Sequence, residues 1–112
     1  MAVLSSHGSP ANERLANRMA AARGWDRTQQ GCLDKLWTEE SAGTWSPTVT
    51  DPLSGAYGIP QALPAGKMAA AGSDWQTNAA TQIRWGFDYI AGRYGTPCAA
   101  WAFETSHYPN WY

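Results

Sequence analysis

At 112 residues the chain is of single-domain length, enough for a modest core of four or five helices. Eight Lys and Arg against nine Asp and Glu leave a net charge of −1 with no basic run, which argues against nucleic acid or an anionic membrane surface as the main partner. No apolar stretch approaches the length of a bilayer span.

Residues 1–8 are polar, poor in core residues and read as a flexible lead-in, and residues 1–24 lack the basic start and apolar block of a secretion signal. Either an export signal has been trimmed or the chain reaches its target by another route. Ser9-Pro10 opens a helix, serine as N-cap and proline at the first helical position. Spacing predicts Ala11, Leu15, Met19 and Ala22 as its inner stripe, with Gly24 as the stop. Asp26 caps a second helix, with Gln29 in capping-box register. On that helix Leu33, Leu36, Trp37 and Glu40 share one face at the i, i+3, i+4, i+7 spacing of a core stripe. Lys35 and Glu39 lie opposite, spaced to pair on the solvated side.

The helix should end by Gly43. From Trp45 to about Pro64 come Pro47, Pro52, Gly55, Gly58 and Pro60, too many breakers for a helix. Thr48-Val49-Thr50 allows at most a minimal hairpin there. A long ordered loop in a small domain is usually functional. A short helix is expected from Pro64 to Ala71 and a turn from Gly72 to Thr77. A longer helix follows from Asn78 to about Tyr94, with Ala79, Ile83, Phe87, Ile90 and Tyr94 on its stripe. Gly86 lies beside that stripe, where a missing side chain lets another helix come close. Gly95 ends this helix. Thr96-Pro97 then opens a last one, from Cys98 to about Glu104. The closing HYPNWY is expected to pack back on the domain. The fold class is mainly α, α+β at most, in one domain.

Glu40 is the first candidate for chemistry. A carboxylate within an apolar stripe is costly to ionise, so burial should raise its pKa. A glutamic acid that stays protonated near neutral pH is what breaking a glycosidic bond requires of a general acid. The alternative is a helix-end carboxylate that turns outward as the helix frays. Cys32 and Cys98 are far apart in sequence and, with His7 and His107, form no metal-ligand spacing. They are either buried free thiols or one disulfide joining the second helix to the last, which would contribute ~4 kcal/mol in the chain-entropy model. Seven Trp and five Tyr make a carbohydrate site plausible, because aromatic faces stack on sugar rings, but do not locate it.

LWTEES, SGAYGIPQALP, the run KMAAAGSDWQTNAATQIRWGFDYIAGRYGTPCAAW and the final NWY resemble the lytic transglycosylase-like domains of actinobacteria and their phages. These lie in the soluble lytic transglycosylase branch of the lysozyme-like superfamily. The resemblance covers residues 9–112 and implies a lysozyme-like domain of about five helices with a long cleft loop. It implies Glu40 as general acid/base, with Ser41 as the polar residue that supports it. AYGIPQ looks like the family's variant of its Gly-hydrophobic-Met-Gln motif, which makes Tyr57 and Gln61 substrate-side and lets Gly58 give close backbone approach. Asn78 matches the asparagine that opens the next long helix, and Tyr89 the tyrosine that faces the glutamate. Cys32 and Cys98 match the family's paired cysteines. The implied partner is the bacterial peptidoglycan glycan strand, met as a monomer at the cell wall or outside the cell, by a secreted bacterial protein or a phage lysin or tail protein. No cofactor or metal is called for.

Three positions depart from the pattern. Glu40-Ser41-Ala42-Gly43-Thr44-Trp45 displaces a tryptophan that relatives carry nearer the glutamate, Gln30 replaces an aromatic, and Phe103 stands where histidine is frequent. The resemblance implies cleavage between N-acetylmuramic acid and N-acetylglucosamine to an anhydromuramyl product. A hydrolytic muramidase would instead use water, usually with a second carboxylate nearby, for which Asp51 is the applicant. Its other role is to cap the turn at Asp51-Pro52. A third expectation is a non-catalytic glycan-binding or phage structural module. Asp74 and Asp88 read as solvated turn and helix residues.

Overall fold

The computed structural model describes residues 9–106; the lead-in and the aromatic tail with His107 lie outside them. Among the described residues, four α-helices and one 3-10 helix make a mainly α domain: α1 Pro10–Ala22, α2 Arg27–Glu40, the 3-10 helix Ala65–Ala71, α3 Ala79–Arg93 and α4 Pro97–Thr105. Each α-helix starts on a side-chain cap. Ser9, Asp26, Asn78 and Thr96 accept from the amides of Asn12, Gln29, Ala80 and Ala99 respectively, which satisfies N–H groups that a helix start leaves open. Half of the expected capping box forms. The Gln29 side chain does not return to Asp26; its Oε1 accepts from the amide of Cys98 at 2.9 Å, so it ties α2 to the start of α4. The Cys32–Cys98 disulfide closes the same junction.

The core is aromatic and centred on Trp37. Its indole stacks on Phe87 at 5.6 Å and meets Trp45 edge-on at 6.0 Å, while Trp25 packs edge-on against Phe87 at 5.0 Å. Leu33, Leu36, Ile59, Ile83 and Ile90 complete it, all fully buried, each contributing roughly 1.5–3 kcal/mol by leaving water. The stripes of α2 and α3 fall as their spacing predicts. That of α1 is turned: Ala16 and Ala20 are buried, Leu15 and Met19 pack at the margin, and Ala11 and Ala22 are exposed. Small residues on that face let the α1 backbone approach, and the longer side chains lean over its edge. Lys35 and Glu39 are both exposed and do not pair; among the described residues the ion pair is Arg23–Asp88, at 3.0 Å.

Between α2 and the 3-10 helix the chain is irregular but tightly held. Isolated antiparallel bridges pair Thr50 with Tyr57 and Tyr57 with Ala62, the minimal hairpin the sequence allows. One buried side chain organises this segment. Gln82 of α3 accepts from the amide of Ile59 at 3.0 Å and donates to the carbonyls of Pro47 at 2.8 Å and Trp75 at 2.7 Å. Three backbone groups that packing would otherwise leave unpaired are thereby satisfied.

Candidate active site

Glu40 is the last residue of α2, and the helix stops there for a local reason. The amide of Gly43 donates to Thr38 O at 2.8 Å and that of Ala42 to Glu39 O at 3.3 Å, the paired bonds of a Schellman ending. Ala42 holds the left-handed position at φ +55°, one that glycine usually fills. Ser41, fully buried, donates its hydroxyl to Trp37 O at 2.7 Å and accepts from the amide of Trp45 at 3.0 Å. Trp45, also at positive φ, is a core residue whose Nε1 donates to Thr38 Oγ1. Trp45 therefore locks the helix end from inside, and Glu40 is held where the fraying alternative would have released it.

The Glu40 carboxyl lines a cavity of about 270 Å³. Pro60, Gln61, Ala62 and Leu63 form its loop wall, Lys67 comes from the 3-10 helix, and Trp85, Tyr89 and Arg93 come from α3. Trp85 and Tyr89, one turn apart, stack at 5.2 Å and 14°, and the Arg93 guanidinium lies 6.0 Å from the Tyr89 ring. Aromatic wall, two cations and one carboxyl converge on one space. A larger, more open concavity of about 620 Å³ follows the outer side of α2 past Asp34, Lys35, Thr38, Glu39, Ala42 and Trp101. Its volume is greater, but Lys35, Thr38 and Glu39 of its lining are exposed, and it is the smaller cavity that combines a half-buried carboxyl with an aromatic stack and two cations.

Behind Glu40 stands a second carboxyl. Glu104 of α4 is fully buried; among the described residues neither of its oxygens meets an N–H or hydroxyl donor, and the group that faces it is Glu40. Burial pushes Glu40 from its ordinary 4.5 up to about 10, helped next by the hydrogen bond and charge of Glu104 and then by the charge of Glu39. Burial also raises Glu104, against a hydrogen bond from Glu40 that pulls it down. Two carboxylates cannot both ionise cheaply in such surroundings, so Glu40 keeps a proton through the neutral range.

Of the residues the sequence singled out, Glu40, Gln61 and Tyr89 come together at this cavity. Gln61, at φ +55°, donates through Nε2 to Val49 O and Gly58 O, which leaves its carbonyl oxygen as the group to offer a ligand. Ser41, Tyr57, Gly58 and Asn78 stand elsewhere. The hydroxyl of Tyr57 donates to Gln76 O at 2.8 Å and its ring meets Trp75 edge-on. The close approach that Gly58 permits is to the Gln82 amide: a β-carbon there would lie 2.8 Å from its Cδ. Asn78 caps α3 and donates to Asp74 at 2.7 Å. Asp51 accepts from the Leu53 amide at 3.0 Å and from Ser54 Oγ at 2.8 Å, which holds its carboxyl below the usual range. That is the turn-capping role.

Glu104, Trp85, Lys67 and Arg93 are site residues that motif matching passes over. A signal for Glu104 was available: Pro97, Ala100 and Glu104 are the buried positions of α4, on one helical face by the same count that flags Glu40. Among the described residues no cluster of three metal-ligating side chains occurs, and no helix is long and apolar enough to cross a membrane. No protein-family model matches the chain, and neither does a curated protein or a solved structure.

Proposed function

We propose that the chain is a lysozyme-like lytic transglycosylase domain that cleaves peptidoglycan glycan strands, with Glu40 as general acid and then base. The observation that carries this reading is the Glu40 carboxyl, its pKa raised by burial to about 10, lining a cavity walled by the Trp85–Tyr89 stack. In the first step Glu40 gives its proton to the glycosidic oxygen, and the bond from that oxygen to the muramyl anomeric carbon breaks. The Glu40 carboxylate then takes the proton of the muramyl 6-hydroxyl, whose oxygen bonds to the anomeric carbon. The product is a 1,6-anhydro sugar, and no water is consumed. The aromatic pair offers a face for a sugar ring, and the Gln61 carbonyl can accept from a hydroxyl.

The lyase outcome is favoured over hydrolysis by the identity of the acids. Glu40 is the carboxyl that lines the cavity, Glu104 is sealed behind it, and Asp51 is bound into its own turn. A hydrolase ordinarily uses a second carboxylate that reaches water or the sugar. The target is then the bacterial cell wall, reached from outside the cell or from a phage particle. Mass spectrometry of digested sacculi tests the reading. Anhydromuramyl ends are expected, ends heavier by one water would mean a muramidase, and Glu40→Gln should lose activity by about 10²–10⁴-fold. Glycan binding without cleavage by either protein would mean a binding module.

A further inference from the structure

The last helix places Glu104 against Glu40 with no other donor to satisfy it, and in the reaction just outlined it touches neither sugar nor water. Substrate contact is ruled out by its burial. A purely structural role is also poorly served, because an isolated buried carboxyl without donors costs stability that a leucine would not.

We propose that Glu104 is a positioning residue for Glu40, its buried carboxyl sharing one proton with that of Glu40 so that the site stays in its acid form until a glycan accepts the proton. The inference rests on Glu40 being the acid, and three features of the structure support it. First, α4 is fixed to α2 at its start by the Cys32–Cys98 disulfide and by Gln29 holding the Cys98 amide, so the two carboxyls are brought together by rigid elements. Second, among the described residues no N–H or hydroxyl donates to Glu104, and the group that hydrogen-bonds to it is Glu40. Third, the other charged and titratable groups near Glu40 are accounted for. Among the described residues, Glu39, on the same helix, favours protonation, while Lys67 of the 3-10 helix and Arg93 and Tyr89 of α3 line the cavity with Glu40, and buried Glu104 does not.

The proton count balances. With one proton on the pair, Glu40 holds it and donates to the Glu104 carboxylate. When a glycosidic oxygen takes that proton, two carboxylates face each other in a buried space. That raises the basicity of Glu40 just when it must recover a proton from the 6-hydroxyl. The pair resists giving up its proton to solvent and regains one readily from substrate.

Glu104→Gln tests this with little change of shape. The new amide N–H can donate to ionised Glu40, and the opposing charge is gone. The pKa of Glu40, followed by ¹³C NMR of the side-chain carboxyls with Glu40→Gln for assignment, should fall by about one unit or more. The alkaline limb of the pH–rate profile on purified peptidoglycan should move down with it, while KM is held. Wild-type protein alone supplies a second reading: Glu40 and Glu104 should titrate as one coupled pair, in two steps, whether or not Glu104→Gln folds. A wild-type Glu40 that titrates in the ordinary carboxylate range, or one unmoved by Glu104→Gln, overturns the proposal. Coupled titration in a protein that fails to cleave glycan supports the pairing and removes the transglycosylase reading instead.

Discussion

Trp37 lies so close to Gly86 that a β-carbon on the glycine would fall 2.8 Å from the indole Cη2 and 3.2 Å from Pro60 Cβ. The close approach expected at Gly86 is thus made by one tryptophan of α2 and by the loop wall of the cavity. Because Trp37 is also stacked on Phe87 and met by Trp45, the ring cannot step aside. Gly86→Ala should therefore destabilise the domain by roughly 2–3 kcal/mol through overpacking, despite alanine's better helix propensity. Urea denaturation measures it; a neutral or stabilised variant would show that the indole yields.

Gln82 is expected to be the most sensitive polar residue of the loop. Gln82→Leu keeps much of the volume but leaves the Ile59 amide and the carbonyls of Pro47 and Trp75 unpaired in a buried setting. The cost should reach about 3 kcal/mol or more. It should appear first as protease cutting between residues 47 and 63, since the loop loses its anchor before the helices part. Unchanged protection of that segment would count against Gln82 as the organiser.

Stability should fall as pH rises. Glu40 in the folded chain holds its proton up to about 10, whereas the unfolded side chain releases it near 4.5. Between those values the folded state binds more protons than the unfolded one, so the contribution is complete below about 4.5 and is lost as pH climbs toward 10. Asp34, raised to about 6 by burial and then by Glu13, acts with the same sign over a narrower window. Asp51 and Asp74, held low by hydrogen bonds at exposed turns, act with the opposite sign as pH drops below 4, and weakly because they are solvated. Tm by circular dichroism should thus be highest near pH 4.5–5 and decline to pH 9. Glu104→Gln should flatten that decline. A Tm that is level or rises over the interval contradicts the buried pair.

Loss of the Cys32–Cys98 bridge should cost ~4 kcal/mol, since it closes most of the described chain into a loop. Because the bridge stands at the junction of α2 and α4, the paired Cys32→Ser, Cys98→Ser variant should also loosen Glu104 from Glu40 and lower the pKa of Glu40. Denaturant midpoints with and without reductant measure the first effect, and carboxyl titration the second. A drop in stability with an unmoved Glu40 would show that packing alone holds the two acids together.

The helix boundaries were readable from the chain because the signals that set them act within one turn. Ser9-Pro10, Asp26 and Thr96-Pro97 cap in the structure as their sequence positions predict, Asn78, read as the first residue of its helix, is that helix's cap, and the stripes of α2 and α3 follow from spacing alone. Glu40 could be picked out by the same logic, as an acid within an apolar face. Contacts across the chain were not readable. Nothing local says that the Gln29 side chain leaves its own helix for Cys98, that Gly58 makes room for Gln82 and not for a ligand, or that the inner face of α1 centres on Ala16 and Ala20. Tertiary structure also decided that Tyr57 and Asn78 brace the loop while Trp85, Lys67 and Arg93 join Glu40 and Tyr89 at the cavity. The physical reason is range: caps and periodicity are settled by neighbours a few residues away. Which carboxyl comes to face Glu40 depends on how the helices close around Trp37, and that closure is a property of the whole domain.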